Sequence, residues 1–329
     1  MKKNLPINIF LGIFILGIPL CLADDSSPDA RLSHLQIVNQ ELDRIEYGTN
    51  VQAPAVVTVS ENNIAHPSTV SYRRLEFGFG EELYWAKFRE PGNYNQKGFL
   101  TGYNTRLTYR TPPGSKSLIN MYRLEGQWAK GKFNNQTVGA LSDVDGIKDT
   151  SYEIRALAGK DLYPTSYLRL TGYSGLGYRF LKDNPAGLST SFVDPLGGTF
   201  SAPSFQSTSH YFYLPFGTDI RYQTNPRYSI DSNFEFDDMV RGWEKEKLGV
   251  LQSSYGNTVN GQKKGYGLRA SLRLNRYYKY FDAYAEIFFR YWNIAQSENV
   301  PDPTDPTNPP LNVLKNSTEE FGLRLGLEI

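Results

Sequence analysis

Phe321-Gly-Leu-Arg-Leu-Gly-Leu-Glu-Ile329 alternates without a break: Phe321, Leu323, Leu325, Leu327 and Ile329 share one side, and Gly322, Arg324, Gly326 and Glu328 the other. A period of two belongs to a β-strand with two different faces. The same rhythm recurs upstream over Leu75 to Trp85, Phe99 to Arg110, Tyr122 to Trp128, Tyr152 to Leu162 and Leu168 to Phe180. It continues over Phe212 to Tyr222, Tyr228 to Phe236, Tyr266 to Arg276 and Phe281 to Tyr291, which brings the count to ten strands. Most of these runs are of the length a tilted strand needs to cross a bilayer, about 9–11 residues. Ordinary globular strands centre on about 5–6.

The connections separate into two kinds. Short turns around Pro112-Pro113-Gly114, Pro164-Thr165, Asn225-Pro226 and Tyr278-Lys279 follow the second, fourth, sixth and eighth strands. Longer polar segments, roughly 88–98, 130–150, 182–209, 241–264 and 293–318, follow the odd-numbered ones. Such alternation is that of outer-membrane barrels, with periplasmic turns and extracellular loops. The expected fold is therefore all-β, a closed antiparallel transmembrane barrel of about ten strands with both termini periplasmic. Pairing the sixth and seventh strands about Asn225 sets Tyr222 against Tyr228, Ile220 against Ile230 and Phe216 against Phe234. The eighth and ninth are expected to set Leu274 against Ala283 and Ala270 against Ile287. A slip of one residue would bring charges onto the apolar face.

The polar faces carry Arg106, Arg123, Glu125, Gln127, Glu153, Arg155, Arg169, Arg179, Asp219, Arg221, Asp231, Asn233, Glu235, Arg269, Arg273, Glu286, Arg290, Arg324 and Glu328. In a barrel these line the lumen and form an internal charge network, while the apolar face meets lipid. Aromatic residues gather at strand ends. Tyr109, Tyr222, Tyr228 and Tyr278 fall beside the short turns, and Trp85, Trp128 and Tyr291 beside the long loops. They read as two interfacial girdles, in which an amphipathic ring keeps its body in lipid and its polar atom wet.

Composition narrows the function classes. A mean hydropathy of -0.47, with one long apolar run, excludes a polytopic helical membrane protein. With 35 Lys and Arg against 34 Asp and Glu and no basic block, the chain has no electrostatic footprint for nucleic acid. The apolar run Ile7 to Leu20, after Lys2 and Lys3 and before Ala23, predicts a secretory signal peptide over residues 1–23. Residues 24–71 form an expected periplasmic segment. There Leu32, Leu35, Val38, Leu42 and Ile45 mark one short amphipathic helix, with Gly48 following as its stop.

Residues 72–329 resemble a bacterial outer-membrane β-barrel protein, down to a terminal alternating strand. That resemblance implies recognition of residues 321–329 by the barrel assembly machinery, although Ile329 stands where Phe or Trp is usual. It also implies a Gram-negative outer-membrane location among membrane lipid and lipopolysaccharide. The count of ten is similar to the omptin surface proteases, and His210-Tyr-Phe-Tyr-Leu-Pro-Phe-Gly217 is vaguely similar to an omptin strand. Omptin-like proteolysis implies paired aspartates and an Asp-His couple at the rim. Here His210 is expected across from Val240, near Asp237 and Asp238, and these three are the weak catalytic candidates. No Asp-x-His motif follows the seventh strand, and alternation aims His210 outward.

The acidic row Asp231, Asn233, Glu235, Asp237 places neighbours about 6–7 Å apart on one strand, too far for a compact metal site. No metal and no cofactor is expected. A ten-stranded lumen lined by long charged side chains is expected to be filled. The leading expectation is a surface barrel that meets a host or envelope ligand through its loops, in adhesion or envelope integrity. The alternatives are a small or gated porin-like channel and an omptin-like hydrolase.

Overall fold

The structure, a computed structural model, describes residues 70, 72–91, 94–112, 116–137, 144–185, 189–193, 199–203, 206–247, 257–302 and 310–329. The signal peptide expected over 1–23 and the helix expected over Leu32 to Ile45 lie outside the described residues.

The strands are β1 (Leu75–Glu90), β2 (Tyr94–Arg110), β3 (Met121–Thr137), β4 (Val144–Thr165), β5 (Leu168–Asn184), β6 (Ser189–Val193) and β7 (Thr199–Pro203). They continue as β8 (Gln206–Asn225), β9 (Tyr228–Lys247), β10 (Asn257–Gln262), β11 (Gly265–Tyr277), β12 (Asp282–Ile294) and β13 (Asn316–Glu328). Ten of these form an antiparallel sheet in the order β1-β2-β3-β4-β5-β8-β9-β11-β12-β13, which closes because β13 pairs with β1. Closure removes both sheet edges and satisfies every ladder internally, the condition for a sheet to sit in lipid. The strands β6 and β7 form a separate hairpin, and β10 takes over the edge of β9 above the point where β11 leaves it.

The strands run further into the long connections than alternation shows. Whereas Tyr122 to Trp128 marks the third strand in sequence, β3 extends to Thr137, and β9 reaches Lys247 rather than Phe236. Beyond the apolar band both faces of a strand are wetted, so the ladder persists after the hydrophobic rhythm has ended. Much of the expected loop sequence is thus strand rising above the band.

Register differs from the expectation by two residues. Tyr222 pairs with Ile230, not Tyr228, and Leu274 with Ala285, not Ala283. A shift of two keeps every side chain on its face, so alternation is blind to it and turn chemistry decides. In the β8–β9 turn the Asn225 carboxamide oxygen accepts the N–H groups of Arg227 (2.8 Å) and Tyr228 (3.1 Å), closing a tight turn over Pro226-Arg227.

The outer wall is apolar and exposed, with Leu83, Leu107, Leu124, Ile154, Leu176, Phe216, Phe234, Leu272, Ile287, Leu323 and Leu325 all turned outward. Rings edge this band on both sides. Near the short turns Tyr167 meets Tyr222 edge-on at 5.7 Å and Tyr278 stacks on Phe281 at 4.9 Å. Toward the long connections Tyr103 stacks on Trp128 at 6.0 Å, and Tyr266 meets Tyr291 at 6.2 Å.

Aromatics are not confined to these edges. Tyr84, Tyr173, Tyr213, Tyr284, Phe288 and Trp292 are buried inside the barrel. All but Tyr84 set ring atoms where a facing strand offers glycine: a Cβ at Gly217 would run into the Tyr173 ring, and one at Gly326 into Tyr284. Large rings against glycine fill the interior of a small barrel.

Candidate functional site

Inward alternation on ten strands brings the charged residues into one column. Arg106 contacts Glu125 at 3.0 Å, Arg123 contacts Asp219 at 2.6 Å, and Arg155 bridges Glu125 and Glu235. Arg221 grips Asp231 at 2.6 Å, and Arg269 joins Asp237 at 2.6 Å to Glu153. Glu286 sits between Arg273 at 2.6 Å and Arg324 at 2.8 Å, and Arg290 holds Glu320 at 2.6 Å. The acidic row on β9 is therefore shared out among arginines of other strands. Asn233 completes it, donating to Asp219 at 2.7 Å and to the Tyr173 hydroxyl at 2.6 Å.

Burying so many charges is tolerable only because each meets an opposite charge and further donors. The inward rings supply a second layer. The guanidinium of Arg273 lies 4.1 Å from the Tyr284 ring centroid, that of Arg324 4.2 Å from Phe288, and that of Arg290 4.7 Å from Phe288. Tyr173 and Tyr213 donate their hydroxyls to Glu235 and Glu153. Several pairs cross the lumen instead of following the wall, among them Arg155–Glu235, Arg269–Glu153 and Arg179–Glu320. Cavities along the column measure only about 60, 30 and 40 Å³.

Arg169 is the exception. Among the described residues it is the lumen arginine with no carboxylate in ion-pair contact, its Nη1 is buried without a hydrogen-bond partner, and Arg221 stands directly opposite on β8.

Sequence reasoning passed over Glu76, Glu82, Arg110, Asp161 and Glu320 as members of this network. Arg110 is held by Glu76 and, at 3.0 Å, by Asp161, while Glu82 takes Arg324 at 3.0 Å. The missing signal was parity: Glu76 and Glu82 share a face with Gly78 and Tyr84, opposite Phe77, Phe79 and Leu83.

Beyond the outer aromatic row, above the membrane-spanning part of the strands, the mouth is acidic. Asp149 faces Asp183 across the β4–β5 ladder, and Glu244 and Glu246 point inward from β9. Burial and then Asp183 raise the Asp149 carboxyl above the usual carboxylate range, and burial raises Asp183 as well. Burial, then Glu246, pushes Glu244 up to about 8. Asn260 on β10 pairs across from Glu244, and Thr258 donates to Glu246 at 3.0 Å.

The catalytic candidates are not brought together. His210 pairs with Trp243 rather than Val240, because the two-residue register difference is followed by a bulge at Val240, where Tyr213 meets Met239 and Phe212 meets Arg241. Its ring is on the outer wall, stacked on Trp243 at 4.9 Å, and its Nδ1 shares a 2.8 Å hydrogen bond with Tyr178. Asp237 points inward to Arg269, whereas Asp238 is exposed on the outside. Among the described residues no group of three or more His, Cys, Asp or Glu is placed to hold a metal ion.

No protein-family model and no curated protein matches the chain. Among solved structures, the outer membrane protease OmpT from Escherichia coli aligns over 79% of this chain and 98% of its own, at 10% identity and a TM-score of 0.57. The translocator domain of the autotransporter NalP from Neisseria meningitidis aligns over 91% and 97%, at 11% identity and a TM-score of 0.38. Ail of Yersinia pestis aligns over 78% and 100%, at 12% identity and a TM-score of 0.27. The likeness to OmpT is one of fold, and the fold of this chain is that of an outer-membrane β-barrel.

Proposed function

We propose that the chain is an integral barrel of a Gram-negative outer membrane that acts by contact at its long-loop rim, in adhesion, host contact or envelope integrity. The observation that carries this reading is the filled lumen. A diffusion pore needs a continuous water column, and here ion pairs cross the bore while the cavities beside them hold a few water molecules each. What a closed barrel offers is a rigid platform for its rim and loops.

A basic belt on the outer wall supports the orientation, with the long loops extracellular and the chain ends periplasmic. Lys97, Lys130, Lys132 and Lys148 point outward around Trp85 and Phe99, just beyond the aromatic row. Lys132 stands opposite Lys148, and Lys87 opposite Lys97. Like charges facing across a ladder repel. The phosphates of lipopolysaccharide, at that level of the outer leaflet, relieve the repulsion. At the other rim, β13 is the strand offered to the assembly machinery. No hydrolytic activity is proposed.

Planar-bilayer recording of the refolded protein tests the reading. The expected trace is silent or shows rare events of picosiemens scale; stable openings of nanosiemens scale would establish the channel alternative. Heat-modifiable gel migration, with protease shaving of intact cells that trims the loops and spares the barrel, tests the orientation.

A further inference from the structure

Arg169 opens β5 at the short-turn end of the lumen and is 3% exposed. Its charged neighbours are Arg110, Arg221, Glu76 and Asp161. Both carboxylates are already engaged: Glu76 is held by Arg110 with Arg221 at 3.8 Å, and Asp161 accepts from Arg110 at 3.0 Å and from the Thr171 hydroxyl at 2.5 Å. Asp231, on the next strand round, is gripped by Arg221 through two nitrogens. Tyr163 shares a side-chain hydrogen bond with Arg169, yet at Nη1 the guanidinium still brings an unused N–H donor to a place where the anionic groups are spoken for. A buried guanidinium in that condition is costly unless something else accepts from it.

The space beside it is of the right size. A cavity of about 30 Å³ is lined by six arginines, Arg106, Arg110, Arg123, Arg169, Arg221 and Arg273, against five carboxylates. With Asp161, which holds Arg110, the cluster is six arginines against six carboxylates, and what it offers an anion is its unused donors. A second unused donor belongs to the same wall, since Arg123 spends one terminal nitrogen on Asp219 while its Nε has no partner. The volume admits one atom-sized ion or a pair of waters.

We propose that this cavity binds a single monovalent inorganic anion of halide size, held by the unused donors of Arg169 and Arg123. The site is built into the barrel and is separate from the acidic mouth and from the outer lysine belt. Its occupant takes the part that a carboxylate plays for every other lumen arginine.

Bromide tests the proposal directly. Crystals of the refolded barrel grown in sodium bromide are expected to show an anomalous peak within hydrogen-bond reach of Arg169 Nη1. In solution the thermal midpoint of the wild type is expected to rise by several degrees in chloride or bromide over gluconate or sulfate at equal ionic strength. Arg169→Met, which keeps the length of the side chain and removes the donors, is expected to abolish that difference. A cavity holding water alone, with equal midpoints in all four anions, would overturn the proposal. So would bromide bound only elsewhere. Should Arg169→Met fail to fold, the two wild-type measurements decide the matter by themselves.

Discussion

Arg179 on β5 and Glu320 on β13 belong to strands half a turn of the barrel apart, yet their side chains meet as an ion pair in the middle of the bore. Both are almost fully buried, and Arg290 holds the second side of the same carboxylate. Removing one partner leaves an uncompensated charge, at a cost of about 3–5 kcal/mol. Glu320→Gln is therefore expected to lower the urea midpoint of the barrel in lipid vesicles. The double variant Arg179→Met, Glu320→Leu is expected to recover only part of the loss, because Arg290 is still deprived of its carboxylate. A single replacement with no effect on the midpoint would show that water already fills the pair.

Glu81 is a carboxylate on the apolar outer face, between Phe79 and Leu83 on β1 and opposite Leu325 and Tyr103. Charged groups on the lipid face destabilise a barrel in proportion to their depth. Glu81→Leu is expected to stabilise the protein by about 1 kcal/mol in vesicle-based unfolding. Unchanged or reduced stability would mean that Glu81 has a polar partner in the membrane.

The acidic mouth has a pH signature. Glu244 in the folded chain is raised from its ordinary value near 4.5 to about 8, so between these values the folded state binds more protons than the unfolded one. Stability contributed by the neutral form is complete below about pH 4.5 and is lost as pH rises through about 8. Hydrogen exchange of the backbone over residues 241–247 is expected to quicken from pH 6 to 8 beyond its intrinsic increase. Glu244→Gln is expected to flatten that profile, and a wild-type profile already flat would contradict it.

Close packing between Gly217 and Tyr173 is expected to be intolerant of any side chain. Gly217→Val forces the Tyr173 ring off the wall, breaking its hydrogen bonds to Glu235 and Asn233. Loss of the heat-modifiable folded band on refolding is the expected outcome. In the background of Tyr173→Ala, Gly217→Val is expected to refold better than alone.

Replacing Lys97, Lys130, Lys132 and Lys148 together by Gln is expected to leave the fold intact and to reduce co-purifying lipopolysaccharide several-fold, read by phosphate content. Equal phosphate in both preparations would remove the belt from the account of how the barrel sits in the outer leaflet.

The barrel was legible because a lipid-facing band writes its period into the sequence. Phe321 to Ile329 shows that period in nine residues, and the short turns locate the strand ends to within a few positions. What alternation cannot carry is anything that leaves the face unchanged. The two-residue difference in register at Tyr222 and Ile230 is of that kind. So is the continuation of β9 to Lys247, where neither face is apolar. Inward rings such as Tyr213 and Trp292 were also hidden, because an aromatic on the polar face has no rhythm to betray it until its facing glycine is known. In the charge column, parity identified many of the members, missed Glu76, Glu82, Arg110, Asp161 and Glu320, and could not say which arginine would be left over. Who pairs with whom across a bore depends on side-chain reach, and Arg169 emerges only from the three-dimensional tally.

The bulge at Val240 decides the electrical character of the entrance. Before it, the odd residues of β9 point inward; after it, Gly242, Glu244 and Glu246 do, while Arg241, Trp243, Lys245 and Lys247 point out. Unbroken alternation through Val240 would carry Arg241, Trp243, Lys245 and Lys247 inward and Glu244 and Glu246 outward, setting two lysines at the opening in place of two glutamates. By absorbing one extra residue outside the ladder, the bulge keeps the glutamates facing the opening and so sets the sign of what the entrance attracts.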